Sequence, residues 1–274
     1  MVFHLATMLL ILASCGCASL GPLNPMAGFE RSMLFHPTAV DTVRSGADFE
    51  SVQIRVSDDQ QIHGLLLEHD TPRGVLLFCH GNAGNVTDRL RRLRELRATH
   101  RLTVFGFDYR GYGASDGTPS EKTIYEDARA AREWLAERAD VAESDIILMG
   151  RSLGGAVAVE LATDGANGLI LESTFSSIAD VARLHIKLLP VSLLVAQRFD
   201  SRSKIGEYDG SLLQVHGTAD GVVPYRSGEK LFEAAVGSKL LIKDNGAGHN
   251  SEPGTEYQQE LLRFIGHLTD GGPW

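Results

Sequence analysis

The apolar residues of this chain fall into two patterns, and the change from one to the other outlines a fold. Val52 to Val56 and Ile62 to Leu67 alternate or run apolar on either side of the polar turn Ser57-Asp58-Asp59-Gln60, which predicts an antiparallel hairpin. Downstream the runs become short and continuous: Val75 to Cys79, Leu102 to Phe107, Ile146 to Met149, Gly168 to Leu171, Leu212 to Val215 and Leu240 to Ile242. Such runs predict strands covered on both faces, hence a mostly parallel sheet. Between them, apolar residues recur at helical spacing over about Asn85 to Thr99, Ser120 to Arg138, Leu153 to Thr163, Tyr225 to Ala235 and Thr255 to Leu268. In the second of these, Ile124, Ala128, Ala131, Trp134 and Leu135 make the stripe that faces the sheet, Ser120 is the N-cap, and Trp134 reads as core. The expected architecture is α/β: about eight strands, helices on both faces, right-handed crossovers, and functional loops at the carboxyl ends of the strands. Ser176 to Lys204 breaks the alternation and reads as a small helical insertion.

Composition narrows this picture. With 274 residues, 43% of them hydrophobic, one large domain over residues 31–274 is the simplest reading. A net charge of −9 without a sustained Lys/Arg run excludes a binder of the nucleic-acid backbone. Arg89, Arg91, Arg92, Arg94 and Arg97 fit the solvated side of the first helix. Cys79, the one cysteine beyond the leader, lies in a buried strand and reads as core, so no disulfide within the domain is expected.

The N-terminus has a different character. Leu5 to Ala13 is apolar but too short to span a bilayer, as in an export signal, and Leu12-Ala13-Ser14-Cys15 looks like a bacterial lipobox. Residues 1–14 are then a signal peptide of lipoprotein type, Cys15 the lipidated residue, and 15–30 a tether containing Gly21-Pro22-Leu23-Asn24-Pro25. The missing Lys or Arg before the apolar run departs from that pattern, and cleavage after another small residue is the alternative. The expected location is a bacterial cell envelope, anchored to a membrane.

Chemistry concentrates where strand Ile146 to Met149 gives way to Gly150-Arg151-Ser152-Leu153-Gly154 and an Ala-rich helix. A serine held between glycines at a strand-to-helix turn is exposed at the top of the sheet, which makes Ser152 a candidate nucleophile. Such a hydroxyl needs an imidazole to take its proton and a carboxylate to orient the imidazole. Asp220, in the loop after Leu212 to Val215, and His249, in Gly246-Ala247-Gly248-His249-Asn250, supply both in the order Ser, Asp, His. Glu172 and Asp200 are rival acids, but neither lies in the loop preceding the strand that leads to His249. The oxyanion donors are expected from the N–H of Leu153 and from His80-Gly81-Asn82-Ala83-Gly84-Asn85, with Asn82 preferred over Ala83 and His80 bracing the loop. Asp108, Tyr109, Arg110 and Tyr112 are expected to stabilise the next loop. No spacing resembles a metal site, a dinucleotide fingerprint or a P-loop, so no cofactor and no metal is expected.

With HGNAGN, FDYRGYGASDGTPSE, GRSLGGAVA, LILESTFSSIAD, HGTADGVVP and GAGHN, the chain resembles the α/β-hydrolase superfamily from about Arg31 to Leu268. Within it, it is similar to the α/β-hydrolase-domain proteins that include eukaryotic protein depalmitoylases and bacterial hydrolases of unassigned substrate. The resemblance implies a triad on Ser152, Asp220 and His249 and cleavage of an ester or thioester through an acyl-enzyme. A serine peptidase or aminopeptidase on the same fold, and a non-catalytic, surface-tethered binding protein, are the alternatives. The substrate is expected to be a small or acylated molecule, with the apolar stretch Ile186 to Val195 as a wall for an acyl chain. Oligomeric state is left open.

Overall fold

Each continuous apolar run becomes a strand of one eight-stranded sheet. The structure, a computed structural model, describes residues 30–32, 34–185 and 196–271. Its strands are β1 His36–Pro37, β2 Glu50–Arg55, β3 Gln61–Leu67, β4 Gly74–Cys79, β5 Ala83–Gly84, β6 Leu102–Phe107, β7 Ile146–Arg151, β8 Gly168–Glu172, β9 Leu212–Gly217 and β10 Lys239–Asp244. The main sheet runs β10-β9-β8-β7-β4-β6-β3-β2. Only the β3 pairings, with β2 and with β6, are antiparallel; β3 and β2 are the expected hairpin. The two-residue strands β1 and β5 pair separately, in parallel.

The helices are α1 Leu90–His100, α2 Glu121–Ala139, α3 Leu153–Ala162, α4 Ile178–His185, α5 Ser201–Lys204, α6 Tyr225–Ala234 and α7 Thr255–Asp270. Ser120 caps α2 as expected, its hydroxyl accepting the Thr123 N–H at 3.1 Å. The first predicted helix begins instead with a 3₁₀ turn, Val86–Arg89, whose N-cap is Asn85. Because side chains alternate across a strand, the two faces feed separate cores. Leu77, Cys79, Leu148 and Leu169 pack with Ile124, Ala128, Ala131, Leu135 and Val157 of α2 and α3. Leu76, Phe78, Ile147 and Met149 pack with Leu93 and Leu96 of α1 and with Leu261, Phe264 and Ile265 of α7. Trp134 sits partly buried against Phe105, with ring centroids 4.8 Å apart.

This strand order places the site. From β4 the chain moves one way to β6, then returns to the other side of β4 with β7, so the loops after β4 and β7 diverge. A crevice at the carboxyl ends of the strands follows, the usual ligand position in an open α/β sheet. The predicted insertion contains α4 and α5, with its apolar part, 186–195, outside the described residues, as are the leader, Cys15 and the tether up to residue 29.

Candidate active site

The turn from β7 into α3 is tight enough to dictate its residues. A Cβ on Gly150 would lie 2.1 Å from the Gly154 carbonyl oxygen, and one on Gly154 would lie 2.0 Å from that of Cys79. Both collisions are with backbone, which cannot step aside, so both positions require glycine. Ser152 between them has φ 53° and ψ −118°, a left-handed φ that costs a non-glycine residue of order 1–3 kcal/mol. Its main chain is pinned: the N–H donates to the Glu172 carbonyl at 2.9 Å, and the Ser152 carbonyl accepts the Thr174 hydroxyl at 2.7 Å.

His249 and Asp220 converge on that serine because β7, β9 and β10 all deliver their chains to the same end of the sheet. His249 Nε2 lies 3.1 Å from Ser152 Oγ, and His249 Nδ1 lies 2.8 Å from Asp220 Oδ2. An ionised carboxylate only accepts, so Nδ1 carries the proton and Nε2 presents a lone pair to the serine hydroxyl. The second carboxylate oxygen, Oδ1, accepts the N–H groups of Val222 at 2.9 Å and Val223 at 2.8 Å. His216 approaches from beneath: Nε2 donates to the Val223 carbonyl at 2.8 Å and lies 3.5 Å from Asp220 Oδ2. Two histidines that look unrelated in sequence therefore face one carboxylate.

Burial by itself would raise the Asp220 carboxyl, but the hydrogen bonds from His216, His249 and the Val223 N–H outweigh it and hold the group well below the usual carboxylate range. A carboxyl depressed in the folded state stabilises the protein above its unfolded value of about 3.9, and that contribution disappears as pH falls through the folded value. Between neutral pH and pH ~3, the native protein is thus expected to lose more stability than an Asp220→Asn variant, which has no carboxyl to protonate there. Urea denaturation of both across that range measures the difference; equal losses would remove Asp220 from the acid response.

The loop after β4 forms the other wall of the crevice. A Cβ built on Gly81 would sit 3.5 Å from Ser152 Cβ, so this loop passes directly beside the serine. Asn82 is tied down by the segment ahead of β2: its Nδ2 donates to the Leu34 carbonyl at 2.8 Å, and its carbonyl accepts the His36 N–H at 2.9 Å and the Tyr112 hydroxyl at 3.0 Å. Thr38 N–H to the Gly84 carbonyl and Asn85 Nδ2 to the Thr38 carbonyl, both 3.1 Å, continue the seam. Leu153, as the first residue of α3, has an N–H with no carbonyl one turn earlier to accept it. Its amide and that of Asn82 are the two candidates for holding a negative oxygen.

The flanking polar residues brace these loops. His80 is fully buried, with Nδ1 donating to the Gly81 carbonyl at 2.6 Å, while Tyr109 Oη donates to the His80 carbonyl at 2.8 Å. Arg110 Nε meets Asp127 Oδ1 at 2.6 Å, and Asp108 Oδ1 accepts the Val86 N–H at 2.7 Å. A second Ser-His-Asp string, Ser51 to His63 at 3.0 Å and His63 to Asp108 at 3.4 Å, joins the hairpin to the loop after β6. There the serine hydroxyl donates to the Val43 carbonyl at 2.7 Å, so its proton is directed away from the histidine. Proximity of the three residue types is thus insufficient without the right proton arrangement. The surface hollow of about 660 Å³ between the end of α2 and Asp145 lies at the amino ends of the strands, remote from Ser152.

Comparison with known proteins agrees with this fold. Residues 70–205 match the family described as serine aminopeptidase, S33. An uncharacterised protein of Mycobacterium tuberculosis is 36% identical over 78% of this chain and 76% of its own length. The α/β-hydrolase domain-containing protein WAV2 of Arabidopsis thaliana is 36% identical over 60% of this chain and 53% of its own length. A Pyrococcus furiosus esterase superposes with a TM-score of 0.68 at 17% identity, over 87% of this chain and 97% of its own. The chain belongs to the α/β-hydrolase superfamily.

In this α/β hydrolase, several residues take places that the sequence pattern did not indicate. Arg92 was expected on a solvated helix face, yet it is mostly buried and donates to Glu172 Oε1 at 2.8 Å, a partner eighty residues away. Arg91 pairs with Glu252, on the loop that carries His249. Glu172 is no rival acid, since it is engaged by Arg92 and by the Tyr257 hydroxyl at 2.7 Å. Asp200 caps α5, accepting the Ser203 N–H at 3.3 Å. Burial pushes the Cys79 thiol far above its ordinary range, as suits a core residue and not a nucleophile. Among the described residues, no group of three His, Cys, Asp or Glu could hold a metal ion.

Proposed function

We propose that this hydrolase cleaves an ester or thioester through an acyl-enzyme on Ser152. Its main support is the continuous line of hydrogen bonds from Ser152 Oγ through His249 to Asp220, at 3.1 and 2.8 Å, with the proton on the side of the imidazole that leaves Nε2 free to act. His249 takes the hydroxyl proton as Oγ attacks the acyl carbon, then returns it to the departing alcohol or thiol. Asp220 holds the imidazole in its working tautomer and offsets the imidazolium charge. The Leu153 and Asn82 amides receive the oxyanion, and water, deprotonated by the same imidazole, releases the acid. Every step uses side chains and main chain only.

The family description names serine aminopeptidases, which gives a second reading in which the scissile bond is an amide. One panel separates the two: p-nitrophenyl esters, acyl thioesters and aminoacyl p-nitroanilides, each assayed alongside a fluorophosphonate probe. Ester or thioester turnover at least a hundredfold above anilide turnover supports the first reading, and the reverse supports the second. Folded protein that neither turns over any of them nor labels at Ser152 would leave only a binding role.

An envelope location belongs to the same proposal, with Cys15 as the lipidated residue. Cys15→Ser is expected to shift the protein from the membrane fraction to the soluble or unprocessed pool, as read by fractionation and by loss of metabolic labelling with a fatty-acid analogue. Unchanged fatty-acid labelling of this variant would argue against a lipid anchor there.

A further inference from the structure

We propose that Arg151 is a positioning residue that holds the backbone of His249 in register with the serine, with Glu172 as its anchor. The inference rests on the reading of Ser152 and His249 as nucleophile and base. Arg151 is the last residue of β7, immediately before Ser152, and Glu172 is its register partner at the end of β8. Its Nη2 donates to the His249 carbonyl at 2.8 Å, and its Nη1 lies 3.7 Å from Glu172 Oε2. Glu172 is itself immobilised: it is 1% exposed, its carbonyl accepts the Ser152 N–H, and Oε1 accepts from Arg92 and from Tyr257. One glutamate, through its carbonyl and its carboxylate, thus ties together the nucleophile's own amide, the guanidinium that grips the histidine's main chain, and α7, into which the histidine loop runs.

The need for such a grip follows from the loop. Between Asp244 at the end of β10 and Thr255 at the start of α7, the chain has no regular structure. Asp220 fixes the far side of the imidazole through Nδ1, but a ring held at one nitrogen can still swing with its backbone. The Arg151 bond acts on that backbone, from the same strand end that carries Ser152, so serine and histidine share one frame. A displacement of about 1 Å between reacting groups can cost on the order of a hundredfold in rate. The positive charge is compatible with the imidazolium formed in each cycle because Glu172 lies against the guanidinium.

The position also permits a test that a purely structural residue would fail. Arg151 is 23% exposed, so shortening it to alanine opens a slot that connects with solvent and matches a guanidinium ion. In the full-length protein, Arg151→Ala is expected to lower kcat for a p-nitrophenyl ester by roughly 30- to 100-fold while KM changes less than about threefold, since ester contacts are untouched. Guanidinium chloride at tens of millimolar is expected to restore kcat at least fivefold, whereas equal sodium chloride or urea is not. Fluorophosphonate labelling of Ser152 should slow and recover in parallel. Native kcat in Arg151→Ala, or a loss that guanidinium does not repair, would overturn the proposal and leave the serine-hydrolase reading standing. Should the alanine variant not fold, Arg151→Lys, which keeps the charge but cannot span both partners, is expected to lower kcat at least tenfold at unchanged KM; native kcat there overturns the proposal equally. An active Ser152→Ala protein would sink the hydrolase reading and this inference together.

Discussion

Replacing Ser152 with alanine is expected to lower ester turnover by about a million-fold, the size of loss seen when a serine hydrolase is deprived of its nucleophile. The change deletes one oxygen and little else. The main-chain bonds from the Ser152 N–H to Glu172 and from the Thr174 hydroxyl to the Ser152 carbonyl remain, and alanine meets the same left-handed φ that serine already accepts. Thermal unfolding should therefore shift little while kcat collapses. Residual activity within tenfold of native, after contaminating enzymes are excluded, would contradict an acyl-enzyme at this position.

Asp220→Asn should come next in size, at roughly ten-thousand-fold in kcat. The direction follows from the contacts of the two carboxylate oxygens. Oδ1 is fixed by the Val222 and Val223 N–H groups, which only an oxygen can accept, so the asparagine must turn its NH₂ toward His249. A donor facing Nδ1 forces the imidazole to carry its proton on Nε2, the nitrogen that faces Ser152 Oγ. The base is then blocked although every distance is kept. A variant with more than a tenth of native kcat would mean that the carboxylate does not set the tautomer.

How much of this was legible in the sequence depends on the range over which each feature is encoded. The parallel strands announce themselves as continuous apolar runs, and their boundaries shift only by a residue or two, as with Ile146–Arg151 against a predicted Ile146 to Met149. Ser152, Asp220 and His249 could be brought together on paper because each follows a strand, and parallel strands deliver their ends to one side. What escaped has no local signature. Arg92 looks like its neighbours on α1, and only the fold brings Glu172 to it. The seam between Leu34 to Thr38 and the Asn82 loop is made of main-chain bonds and two asparagine side chains around two-residue strands, too short to leave any periodicity. His216 and His249 stand thirty-three positions apart, and their common carboxylate appears only when the two loops fold against each other.

The left-handed backbone at Ser152 has a consequence for how robust the molecule can become. Glycine at this position would relax the turn at no steric cost, so one route to a more durable form of this fold is to surrender the hydroxyl. On the proposed mechanism, heat tolerance and reactivity therefore compete at a single residue, and screening for variants that merely survive harsher conditions would tend to reward the inactive ones.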